Sequence, residues 1–341
     1  MNKIIVTGLI LSSLLFVSCS QVKTTDSFTA MNTFMAVSVY SSSGKKGRAV
    51  CDELQSKVCE LEGVLSTTLS TSDVYKLNHN KSLNAPVNPE LSELLDFSGK
   101  MFGLSGGAFN PALYPVIREW GFTTEEYKVP SSERVQELLL NTDFSEVECD
   151  ISGVKLKEGM ELDFGAVGKG YAADNAVAIL KKNGIKSALL DFGGNIQTVG
   201  KKPDGSLWRV GIKNPWEGGA AAALSVESKA VVTSGGYERY FEKDGVRYIH
   251  IFDPETGCPS LSDLESVTIV CESGKYADAL STALFVMGKD DAVSFYNATG
   301  DFDFILITKN HSLIYSARLE GFIELLTDFS SVECIADSFE N

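Results

Sequence analysis

Histidine is scarce in this chain: His79, His250 and His311 are the only three in 341 residues. The seven cysteines form no Cys-x-x-Cys pair, so zinc-ribbon and thioredoxin-like chemistry lack support. No run of lysine and arginine offsets a formal net charge of −15, and nucleic acid is not an expected partner. Two phosphate fingerprints are also missing from the glycine-rich stretch at residues 162–173, LDFGAVGKGYAA. Lys169 is followed by Gly170 rather than Ser or Thr, which excludes a Walker A loop. Gly165, Gly168 and Gly170 do not have the spacing of GxGxxG.

The apolar run at residues 4–17 follows Lys3 and is too short to span a bilayer, so it reads as an export signal. It ends in Leu15-Phe16-Val17-Ser18-Cys19, the pattern of a bacterial lipoprotein cleavage site. An ordinary secretory leader with an incidental cysteine is the other reading. On the lipoprotein reading, residues 1–18 are the signal and residues 19–27 the lipid anchor and polar tether. Cys19 carries the lipid, and the protein is periplasmic, held to a bacterial membrane without spanning it. Cys51 and Cys59 fall in one expected helix, about 12 Å apart along its axis, too far to bridge within it.

With 44% apolar residues the chain can bury a substantial core. Alternation predicts strands at residues 35–40, 187–192, 208–213, 231–234, 246–252, 266–271, 302–308 and 312–316. Helical spacing covers residues 48–64, 89–104, 172–180 and 276–287, with Asn88 as an N-cap before Pro89. Short strands mixed with longer helices, without regular βαβ alternation, indicate an α+β fold rather than a doubly wound sheet. Residues 28–335 form one expected unit with two lobes. Residues 106–122, dense in turn formers and aromatics, suit either a pocket lining or a packed surface loop.

Three places can carry chemistry. At residues 154–180 an expected strand, a glycine-rich turn with Lys169 and a helix follow one another. That order suits an anion nest under a phosphate, or a purely structural turn. Asp278 and Thr282 lie one turn apart on an apolar helix. They fit either an oxygen site for a hard cation such as Mg²⁺ or a hydrogen-bonded pair. An expected strand delivers His250 beside the Asp-Pro-Glu-Thr-Gly turn at residues 253–257, as a catalytic group or as a satisfied core histidine. His79 and His311 sit in polar stretches and are expected to be solvated.

Taken in order, these segments resemble the FAD:protein FMN transferase (ApbE-type) family. The likeness rests on Met31-Asn32-Thr33, Ser66-Thr67 with Ser72 and Asn78, and GAFNP at 107–111 ending in Trp120-Gly121-Phe122. LDFGAVGKGYAAD, GGN, TSGGYERYF, HIFDPETGCP and ADALSTALFVMG continue it, covering about residues 28–288. The resemblance implies a T-fold-like α+β architecture with mixed and antiparallel sheets and packed helices. It implies Mg²⁺-dependent transfer of FMN from FAD to a Thr or Ser hydroxyl of a partner flavoprotein, with release of AMP. It further implies metal oxygens from Ala166, Asp278 and Thr282, and His250 as the base. FAD contacts would come from Met31, Thr68, Ala108, Phe109, Asn110, Asp163, Lys169, Gly193, Gly194 and Ser260.

The chain departs from the family pattern in three places. Asn32 replaces glycine, Thr68 stands where tyrosine is common, and Asn110 replaces aspartate. Loss of a stacking ring at position 68 is expected to weaken FAD holding by about 1 kcal/mol and to favour hydrolysis of FAD to FMN and AMP. The alternatives are therefore an FAD pyrophosphatase in the same site and a flavin-binding lipoprotein without catalysis.

Overall fold

A computed structural model describes residues 21–337. Its centre is a nine-stranded sheet, in spatial order Val22–Ala30, Thr33–Ser41, Ser187–Phe192, Asn195–Val199, Ala230–Gly235, Leu264–Cys271, Asp303–Thr308, Ser312–Ser316 and Ser331–Ile335. Neighbouring strands run antiparallel except the last pair, which is parallel. The helices are α1 (Gly44–Leu65), α2 (Asp73–Asn80), α3 (Pro89–Leu104), α4 (Tyr114–Glu119), α5 (Ser132–Leu139), α6 (Gly168–Lys182), α7 (Gly274–Met287) and α8 (Lys289–Thr299). The architecture is α+β.

Strand alternation decides what each face of the sheet covers. In Ala230–Gly235, Val232 points into the main core with residues of α1, α6 and α7, whereas Val231 points the other way. There it meets Trp208, Val210, Ile212, Ala222 and Leu224 of a three-stranded sheet, Trp208–Lys213, Ala220–Val226 and Ile323–Leu325. Three layers result: helices, the large sheet, and the small sheet. A separate cluster of Leu113, Val116, Trp120, Phe122, Phe241 and Phe252 sits outside both.

Two expectations change. Residues 22–27, read as tether, belong to the strand Val22–Ala30, paired residue for residue with Thr33–Ser41. Its sequence VKTTDSFTA is polar because it is an edge strand that buries only Thr24, Phe28 and Ala30. The strand expected to lead into Asp163 ends at Lys155. Leu156, Met160 and Leu162 are still buried, but without a ladder. Asn78 replaces the missing partner strand, its amide donating to Leu162 O at 2.8 Å and its Oδ1 accepting from Leu162 N at 2.7 Å.

Candidate active site

The glycine-rich turn is a helix-crossing device. α6 begins at Gly168, four residues earlier than apolar spacing predicts, so Lys169 and Gly170 lie in its first turn. A Cβ on Gly170 would stand 2.1 Å from Gly274 O and 2.7 Å from Asp278 Cβ, so only glycine permits this approach of α6 to α7. Gly168 has no such constraint; its nearest neighbour would be Leu65 Cδ1 at 4.0 Å. Asp174 fixes the same crossing by capping α7, accepting from Ser273 Oγ at 2.8 Å, Gly274 N at 2.5 Å and Lys275 N at 3.2 Å.

The anion-nest reading is corrected at four amides of this turn. Gly165 N donates to Asp163 Oδ1, Val167 N and Gly168 N to Phe164 O, and Gly170 N to Asp278 Oδ2 at 2.9 Å. The last contact satisfies an orphan N–H of the α6 first turn with a carboxylate from α7, where the helix dipole favours negative charge.

Asp278 is only 3% exposed. Its Oδ1 faces Lys169 Nζ at 3.8 Å, beyond hydrogen-bond length, so a buried carboxylate oxygen keeps lone pairs available. One turn on, Thr282 Oγ1 lies 3.3 Å from Ser234 Oγ, which also meets Ser281 Oγ at 2.8 Å. Among the described residues no group of three or more His, Cys, Asp or Glu side chains could hold a metal. A carboxylate, a hydroxyl and the Ala166 carbonyl in the preceding turn are instead hard oxygen donors. That set suits Mg²⁺ held by one carboxylate and completed by phosphate and water. The residues present therefore fit the cation.

The His250 side is built differently. The strand expected over 246–252 ends at Ile249; His250 follows it at the open end of the hairpin Tyr240–Lys243/Val246–Ile249. His250 N donates to Arg239 O at 3.0 Å, and His250 Nδ1 lies 3.1 Å from the same oxygen. A carbonyl only accepts, so the neutral ring carries its proton on Nδ1 and presents Nε2 as a lone-pair base. Burial, then the Arg239 guanidinium, push the His250 pKa down to about 4, with Lys169 adding to the effect. Burial raises the Asp163 carboxyl, while Arg239 and Lys169 oppose that rise. His250, Asp163, Lys169 and Arg239 thus share one electrostatic neighbourhood.

Residues 106–122, expected either to line a pocket or to pack as a loop, anchor this hairpin. Phe241 stacks between Tyr127 and Tyr248 at 5.0 and 4.9 Å, and Phe122 packs on Phe241 and Phe252. Trp120 Nε1 donates to Gly257 O at 3.1 Å, tying the loop to the Asp-Pro-Glu-Thr-Gly turn.

The remaining expected residues are spread around these two parts. Met31 (φ 51°) and Asn32 (φ 56°) form the two-residue turn of the first hairpin, and Gly193 (φ 64°) and Gly194 (φ 88°) that of a neighbouring one. Both central residues of such a turn need positive φ, which explains the family's glycine and why asparagine serves at position 32. The two turns touch, since a Cβ on Gly193 would meet Thr33 Oγ1 at 2.2 Å. Both lie at the end of the sheet that carries Ser234. Met31 N is held by Glu62 Oε1 at 2.8 Å.

Thr68 is exposed in the loop after α1 and bonds Ser66. Ala108 is half-buried beside the main core, and the Phe109 ring is inside it. Asn110 caps the turn at Pro111–Leu113 by accepting from Ala112 N, and donates to Thr142 O at 2.8 Å, which an aspartate could not do. Ser260 is buried and bonds Ile251 O and Ser262 N. Cys19 lies outside the described residues. The other six cysteines are free. His79 is helical and stacks on Tyr75, and His311 turns a hairpin against Trp216, each with rings 3.8 Å apart. Arg239, Asn78, Asp174 and Ser234 carry parts of the site that the sequence reading did not assign. Arg239 lies within TSGGYERYF, and its spacing to His250 across a hairpin is the signal that marks it.

Known proteins show the same arrangement of segments. Residues 31–306 match the sequence profile of the ApbE family. A Treponema pallidum protein named FAD:protein FMN transferase is 35% identical, over 87% of this chain and 87% of its own. A Klebsiella pneumoniae protein of the same name is 32% identical, over 84% of this chain and 92% of its own. The crystal structure of the Thermotoga maritima ApbE protein superposes with a TM-score of 0.81 at 32% identity, covering 88% of this chain and 99% of that one. The apo flavinyl transferase ApbE of Pseudomonas stutzeri gives 0.76 at 29% identity, covering 85% and 92%. By profile, by relatives and by fold, this chain belongs to the ApbE family.

Proposed function

We propose that this chain transfers FMN from FAD to a Thr or Ser hydroxyl of a partner flavoprotein, with Mg²⁺, releasing AMP. The observation that carries the reading is a neutral imidazole with a free Nε2 in the neighbourhood of Lys169, which itself faces the buried Asp278 carboxylate.

Asp278, Thr282 and the Ala166 carbonyl would hold Mg²⁺, which when bound supplies positive charge to the pyrophosphate oxygens. His250 Nε2 takes the proton of the acceptor hydroxyl as its oxygen attacks the FMN phosphorus. The new P–O bond joins FMN to the acceptor, the P–O bond to the adenosine phosphate breaks, and AMP leaves. Lys169 offsets the charge gathering on the leaving phosphate. Burial of Asp278 keeps its charge in a medium where each interaction counts for more than in water.

The leader at residues 1–18 and Cys19 support an exported protein anchored by lipid on the periplasmic side of a bacterial membrane. The test uses protein beginning after Cys19, FAD and Mg²⁺, with and without a Thr-bearing acceptor domain. AMP together with a covalently flavinylated acceptor supports transfer. AMP without acceptor identifies FAD hydrolysis, and no AMP with flavin still bound identifies a binding protein.

A further inference from the structure

Arg239 stands where the two strands of the His250 hairpin open. Tyr240 pairs with Ile249, so Arg239 and His250 are the next facing positions, and the Arg239 carbonyl takes both the His250 backbone N–H and its ring Nδ1. The guanidinium is itself tethered, Nη2 donating to Phe122 O at 2.5 Å. Phe122 is buried in the aromatic cluster, so the tether ties the hairpin mouth to a rigid support.

We propose that Arg239 is a positioning residue for His250, its carbonyl fixing the ring tautomer and its tethered guanidinium setting the charge state of the imidazole. The proposal rests on the reading of His250 as the base, but its first readout is independent of turnover. The charged groups acting on His250 are Arg239 from the facing strand and Lys169 from α6, and Asp163 faces both cations. With the guanidinium in place, protonation of His250 adds a positive charge to a neighbourhood that already holds Arg239 and Lys169. Without it, the proton is easier to accept. The tautomer does not depend on the side chain, because it is set by a main-chain oxygen.

The test is ¹⁵N NMR titration of the three histidines in the protein beginning after Cys19, with His250→Asn to assign the His250 signals. In the unmutated protein the neutral His250 ring is expected to be protonated on Nδ1; an Nε2–H signature would overturn the proposal without any variant at Arg239. Arg239→Gln is expected to raise the His250 midpoint from near 4 toward the ordinary imidazole range, by roughly half a unit or more. Arg239→Lys, which keeps the charge but not the planar fork, is expected to leave it close to its original value. An unchanged midpoint in Arg239→Gln, or an equal rise in both variants, would overturn the charge role. FMN transfer by Arg239→Gln should then fall at pH 5 relative to pH 8 in step with the protonated fraction, by about 1.3-fold for a half-unit rise and about fivefold for a rise of about 1.6 units. The NMR shift without any transfer in the unmutated protein would leave the Arg239 role standing and sink the transferase reading.

Discussion

The α6–α7 corner and the His250 hairpin face one site but are held together by opposite means. At the corner, backbone meets backbone: Gly170 against Gly274, Gly170 N on Asp278, Asp174 over the first turn of α7. All of this sits on the main core. The hairpin has strands of four residues each, a length that is marginal alone. It is seated by rings, with Phe241 between Tyr127 and Tyr248 and Phe122 against Phe252. A backbone contact tolerates no added atom, whereas a ring stack tolerates exchange of one ring for another. On the proposed function, the half that would hold phosphate and cation is therefore fixed with the fold, and the half that would take the proton can be loosened while the rest stays folded.

The sharpest way to break this contrast is Phe241→Ala. It should destabilise the hairpin by about 3 kcal/mol and cut kcat steeply while leaving Mg²⁺-dependent FAD binding near its original value, whereas Phe241→Tyr should restore kcat. Calorimetric binding beside single-turnover rates checks both. Next is Gly170→Ala, which must push α6 from α7 and should cost about 2–3 kcal/mol. Gly168→Ala has room and should be neutral or stabilising by up to about 1 kcal/mol. Thermal melts of the pair decide whether packing or phosphate access requires glycine at position 170.

The third prediction concerns pH. The folded His250 titrates near 4 against an ordinary 6.5, so between these values the unfolded chain binds more protons. This group's contribution makes stability fall as pH drops through that window and leaves it flat above. The acid limb of kcat/KM in the free enzyme should likewise lie well below 6.5. His250→Asn should flatten the stability profile in that window. The smallest effect is expected from Thr68→Tyr, which returns a ring to the exposed loop. FAD affinity should rise by about 1 kcal/mol and AMP release without acceptor should fall; no change in either would show that this loop does not touch the flavin nucleotide.

The sequence made the regular interior legible. The strands Ser187–Phe192, Trp208–Lys213 and Ser312–Ser316 and the Asn88-capped helix lie where alternation and capping put them. It also made Asp278, Thr282 and His250 stand out, because acid and hydroxyl at helical spacing and a rare imidazole beside a turn are local signals. Other features depend on tertiary partners. Residues 22–27 of the strand Val22–Ala30 read as tether because an edge strand needs only one buried stripe. Residues 156–163 alternate like a strand although Asn78, far away in sequence, supplies the pairing. Glycines at 168 and 170 argue against helix by propensity, yet the crossing with α7 overrides it. Arg239 acts through a register that exists only once the hairpin has formed.

The division of labour between the two halves is tested most directly by comparing His250→Asn with Asp278→Ala in one pair of assays, Mg²⁺-dependent FAD binding and flavinylation of an acceptor. His250→Asn should bind FAD as the original protein does and transfer at least about 10²-fold more slowly, while Asp278→Ala should lose both Mg²⁺-dependent binding and transfer. Equal loss of binding in the two variants, or transfer surviving in Asp278→Ala, would contradict the account.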